Sequence, residues 1–164
     1  MLNTLAPQRV NILCLLAVER MLAAQPSSAL QQILTQAFER ARRHTYHDMD
    51  SLKTQALSLV AGYQPQDIDA HQAQCAALAL LFTLEYMDSQ QVEYAEQTLA
   101  KQQELFDLYS EQGQPQAVSA DLDWQQQLAA ALSVEELDDQ QLMNLRRHNQ
   151  QHGLPPLQTQ PAPI

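Results

Sequence analysis

A chain of 164 residues is long enough to bury one sizeable core and short enough to form one domain. Hydrophobic residues make up 45% and aromatics only 5%, so that core is aliphatic, and three glycines without alternating Val/Ile/Thr runs argue against a sheet. Nine basic residues against 19 acidic ones leave a formal charge of -10, which repels phosphate backbones and anionic lipid and removes nucleic acid and membranes from the expected partners.

Glutamine takes about one position in six, scattered over helical pattern, where it solvates helix faces without adding charge. Pro7 suits the first turn of a helix, and apolar residues then recur at Val10, Leu13, Cys14, Ala17, Val18 and Met21. The first helix is therefore expected from about Pro7 to Ala24, stopped by Pro26. Arg9 ahead of the run Val10 to Val18, with Ala23-Ala24-Gln25 after it, invites a signal-peptide reading. Asn11 interrupts that run, and Glu19-Arg20 put charge where a signal segment is uncharged, so a cytoplasmic chain is expected.

Ser27 or Ser28 can cap a second helix with Leu30, Ile33, Leu34, Ala37, Phe38 and Ala41 on one face. Its end carries Arg40, Arg42, Arg43 and His44, cations that complement the negative end of the helix dipole. Asp48 or Asp50 is the expected cap of a third helix, Ser51 to Ala61, closed by Gly62. The stretch from Asp67 to Asp88 is the most continuously apolar in the chain and reads as the central member of the bundle, with Leu78 and Phe82 as core residues. It is too short and too flanked by charge to span a bilayer.

A fifth helix follows Asp88 or Ser89 and runs to about Gln112, with Val92, Ala95, Leu99, Phe106 and Tyr109 as a narrow stripe and Gln102 in one expected core slot. Gly113 to Ala120 reads as the clearest break. A sixth helix is expected from near Ser119 or Asp121 through Trp124, Leu128, Ala131 and Leu132. Ser133-Val134-Glu135-Glu136 has the form of a capping box for a seventh, which carries Leu137, Gln141, Leu142, Leu145 and His148 to Gly153. Residues 154–164, with four prolines, read as a flexible tail on a single domain spanning 1–153.

Candidate chemistry is sparse. His44, His47, Asp48 and Asp50 are ligand types at close spacing, but a solvated helix end explains them without a metal. His71 and Cys75, four apart, could point one way; the apolar surroundings of Cys75 argue for an inert, packed thiol. Cys14 and Cys75 both lie in apolar helical pattern and read as small buried hydrophobes of a reducing compartment. No metal, cofactor or catalytic residue is therefore expected.

Four stretches carry a resemblance. Leu16-Ala17-Val18-Glu19-Arg20-Met21 with Pro26, then Gln32-Ile33-Leu34 through Phe38-Glu39, are two of them. The others are Ile68-Asp69-Ala70 leading into Ala76-Ala77-Leu78, and Trp124 through Glu135-Glu136 with Leu145-Arg146 and Gly153. Together they resemble the YjaG-like family, bacterial cytoplasmic proteins grouped as a domain of unknown function. Members of that family are somewhat longer, more aromatic and less glutamine-rich. The resemblance implies an all-helical fold and brings no catalytic residues with it.

The expected fold is all-α, a compact bundle of about six or seven helices with short loops. The expected role is a non-enzymatic interaction module, as a homo-oligomer or with a protein partner; the fifth-helix stripe fits the core first, and if a partner docks on it Phe106 and Tyr109 are the candidate contacts. The alternative is a small-ligand or metal-binding enzyme with a polar site near His44, His47 and His71.

Overall fold

A computed structural model describes residues 5–23, 27–62, 68–133 and 137–155; the side chains of 68 and 69 are not described. Among the described residues there are seven helices and no strand: α1 (Pro7–Ala23), α2 (Ser28–Arg43), α3 (Asp50–Ala61), α4 (Ile68–Ser89), α5 (Val92–Glu111), α6 (Pro115–Leu132) and α7 (Asp139–Gln151). No helix among them is long and apolar enough to cross a membrane.

The hub of the bundle is α1, not α4. Every residue from Val10 to Leu22 is buried, including Asn11, Glu19 and Arg20. α1 touches α2, α4, α5, α6 and α7, whereas α4 packs on α1, α2, α3 and α5. The face of α4 turned to solvent carries His71, Gln74, Leu78, Leu81, Phe82 and Glu85, all half-buried, so Leu78 and Phe82 are not the core residues expected of them. Cys75, Ala76, Ala79, Leu80, Leu84 and Met87 take that role on the opposite side.

Several boundaries differ for identifiable reasons. Ser27 does cap α2, its Oγ accepting from the Leu30 N–H. α3 starts at Asp50 behind Met49, with no side-chain cap, so neither aspartate serves as one. Gln91 is the N-cap of α5, and Ser89 Oγ accepts from the Gln91 N–H at 3.2 Å while donating to Glu85 O. The break after α5 is only a tight turn: Gly113 sits at φ 78°, a left-handed value that suits glycine, and Pro115 opens α6 in its first turn. α6 thus begins well before Ser119.

The capping box of α7 is formed by Asp138 and Gln141, each side chain bonded to the other's backbone N–H at 2.8 Å. Ser133 instead ends α6, its hydroxyl donating to Ala129 O at 2.7 Å, and Val134–Glu136 lie outside the described residues. Leu154 is not tail-like: it is 3% exposed and its N–H bonds to Arg20 O. The Tyr109 hydroxyl donates to Pro155 O. The remainder of the expected tail, 156–164, is outside the described residues.

Gly153 is there for lack of room. A Cβ at this position would stand 2.3 Å from Ala23 Cβ, where the end of α7 crosses the end of α1. Gly153→Ala is expected to cost about 1–3 kcal/mol in thermal or urea melts. Ala23→Gly in the same chain should recover most of it; no recovery would place the cost elsewhere.

Candidate functional site

α4 and α5 form an antiparallel pair whose register is set by two buried contacts. The Thr83 and Thr98 hydroxyls meet at 3.0 Å, and the Gln72 amide donates to the Tyr109 hydroxyl at 2.9 Å. That register brings Cys75 level with Glu104. His71, one turn before Cys75 on the same helix face, completes the group, since residues four apart stack along a helix.

The ligand-capable atoms of His71, Cys75 and Glu104 all lie within 4.8 Å of one another. His71 Nε2 is 3.2 Å from Glu104 Oε1, and Lys101 Nζ holds the other oxygen, Oε2, at 2.9 Å. Cys75 is buried, while His71 and Glu104 are partly open to solvent at 33% and 43% of their side-chain surface. Burial, and the nearby Glu104 carboxylate, push the Cys75 thiol up to about 11 against a smaller opposing effect of Lys101. The Lys101 ammonium, followed by His71, holds the Glu104 carboxyl below its usual range despite partial burial. A thiol held protonated at neutral pH is a poor nucleophile, which disfavours covalent catalysis by Cys75.

The other ligand-type residues weighed in the sequence do not join this group. His44 caps α2 in a left-handed conformation, φ 54°, with its N–H on Ala41 O. His47, Asp48 and Asp50 are exposed, and Arg40 Nη1 binds the carbonyls of His47 and Asp48 at 2.6 and 3.2 Å. Among the described residues, His71, Cys75 and Glu104 are the one cluster with metal-ligating geometry. Glu104 was invisible to sequence spacing, because only the α4/α5 register brings it near; the usable signal was an exposed acid on the neighbouring amphipathic helix.

A second polar assembly lies inside the bundle. Arg20 pairs with Asp121 through Nε–Oδ1 at 2.7 Å, both side chains being essentially sealed from water. Its Nη1 donates to Asn149 Oδ1 at 3.0 Å, an oxygen that also accepts from the Trp124 indole at 3.0 Å. Asn149 Nδ2 in turn donates to Glu19 Oε1 at 2.8 Å, and Arg146 binds Glu19 Oε2 at 2.8 Å while lying over the Phe38 ring. Gln102 and Gln125 supply further donors to Asp121. This network joins α1, α5, α6 and α7; with nearly every group satisfied, it serves to fix one arrangement of helices.

Phe106 and Tyr109 are 3% and 0% exposed and belong to the main core. The buried face of α5 is Ala95, Thr98, Gln102, Leu105, Phe106 and Tyr109, so these two aromatics are spent on packing inside the chain. No family model, curated protein or solved structure matches the chain.

Proposed function

We propose that the chain is a non-enzymatic interaction module that self-associates through the outer face of α4. The observation that carries this is the half-buried apolar run Leu78, Leu81 and Phe82 at the middle of that face, on a helix whose other sides are already packed. Apolar area left partly in water, in a chain this acidic, favours a contact that covers it. Lys53 of α3 reaches Asp88 at 2.7 Å and Glu85 at 3.5 Å, so α3 runs antiparallel beside α4. Counting one turn on from Lys53 in that register puts exposed Leu57 alongside Phe82 and widens the run.

The flanks favour a second copy as the occupant. One end of the run carries Lys53 between carboxylates, and the other carries Lys101 beside Glu104 and His71. Two such faces crossing antiparallel about a twofold axis would set cation against carboxylate at both ends, which is what an isologous contact needs.

Sedimentation of the full chain over a range of concentrations tests this. The wild type is expected to rise towards twice the mass of one chain, and Phe82→Asp to remain at one chain with unchanged helical circular dichroism. A wild type that stays monomeric throughout, or a Phe82→Asp variant that still dimerises, would overturn the proposal.

A further inference from the structure

We propose that His71 Nε2, Cys75 Sγ and one oxygen of Glu104 bind a divalent zinc ion, with a fourth position left to water or an incoming ligand. This goes beyond the self-association reading and does not rest on it. Three chemically different donors, one nitrogen, one sulfur and one oxygen, converge from two helices, and such a mixed set suits a borderline-soft ion.

The distances are compatible. Donors at about 2.0–2.3 Å from a tetrahedral ion stand about 3.3–3.7 Å apart. The His71–Glu104 pair at 3.2 Å stands just inside that spacing and needs only a slight opening. The longest separation in the group, no more than 4.8 Å, closes with a change of about 1 Å in side-chain position.

The surroundings are those of a site. α4 fixes His71 and Cys75 on one stripe, and the Thr83–Thr98 and Gln72–Tyr109 contacts hold α5 against it. Lys101 on Glu104 Oε2 leaves Oε1 for the ion and fixes the carboxylate plane, the part that an outer-shell hydrogen bond plays around metal ligands. Partial exposure of His71 and Glu104 provides the way in, while the sulfur lies on the buried side. On binding, the Cys75 sulfur loses its proton to solvent and forms the bond to zinc as thiolate; no electron is transferred.

The full chain, stripped with a chelator, is titrated with cobalt(II) as a spectroscopic probe and then with zinc in competition. One cobalt per chain is expected, with a thiolate-to-cobalt charge-transfer band that zinc abolishes. Cys75→Ser should remove the band and weaken zinc binding by at least about 100-fold, since even outer-shell changes cost about 10–100-fold. His71→Ala and Glu104→Gln, at partly exposed positions that tolerate change, should each weaken zinc at least about tenfold. Cys14→Ser should keep the band. Absence of the band in the wild type, or zinc affinity unchanged in both His71→Ala and Glu104→Gln, would overturn the site, as would zinc lost only on changing His44 or His47. If Cys75→Ser does not fold, the His71 and Glu104 variants decide on the same readout.

Discussion

Asp121→Ala is expected to lower the free energy of unfolding by about 3–5 kcal/mol, the cost of leaving one member of a buried ion pair without the other. The Arg20 side chain is 0% exposed and that of Asp121 1%, so no water replaces the missing carboxylate. The guanidinium would keep only Leu16 O and Asn149 Oδ1, and the amides of Gln102 and Gln125 would each lose an acceptor. Urea melts measure this directly, read at unchanged slope. Replacing both charges, Arg20→Met with Asp121→Leu, should be less damaging than Asp121→Ala, because the cost lies in the orphaned charge more than in the lost attraction. A loss below about 1 kcal/mol for the single change would show that water reaches Arg20 and that the network is not sealed.

The second large effect separates the two faces of α4. Leu84→Ala, at a side chain with no exposed surface, is expected to cost about 2–5 kcal/mol through lost burial and the cavity left behind. Leu78→Ala, on the half-buried outer face, should cost about 1 kcal/mol or less in a monomeric state, since that surface is only partly withdrawn from water. Equal losses at the two positions would mean that something in the chain covers the outer face. The pair of melts also guards the self-association experiment, because a Phe82 variant is informative only if its face is not holding the monomer together.

The six or seven expected helices and their order were legible from apolar spacing, whereas among the expected N-caps only Ser27 serves as one. What spacing could not reveal was which helix is surrounded. α4 is apolar on nearly every side, so it reads as central, yet a run of Leu and Phe on the outside looks the same in sequence as one on the inside. α1 carries Asn11, Glu19 and Arg20, which look like solvent-facing positions; Glu19 and Arg20 are buried because α6 and α7 bring Asp121, Asn149 and Arg146 to meet them, and Asn11 lies buried beside Tyr46. The same reason hid the candidate site. His71 and Cys75 share a helix face and can be paired by counting, whereas Glu104 enters through a neighbouring helix whose register no local pattern records. The error at α7 was of another kind: Ser133–Glu136 and Asp138–Gln141 both fit a capping pattern, and only one can start the helix.

The position of α1 has a consequence for how the chain is made. Glu19 and Arg20 find side-chain partners 101 to 131 residues further along, on α6 and α7. During synthesis α1 therefore leaves the ribosome well before the groups that neutralise Arg20 exist, although α2, α4 and α5, which cover its apolar sides, are made sooner. Until α6 and α7 emerge, Glu19 and Arg20 are left to water or to chaperones in place of Asp121, Asn149 and Arg146. The polar network closes only when α7 brings Asn149 and Arg146 to Glu19 and Arg20, so helices far apart in sequence are tied together last.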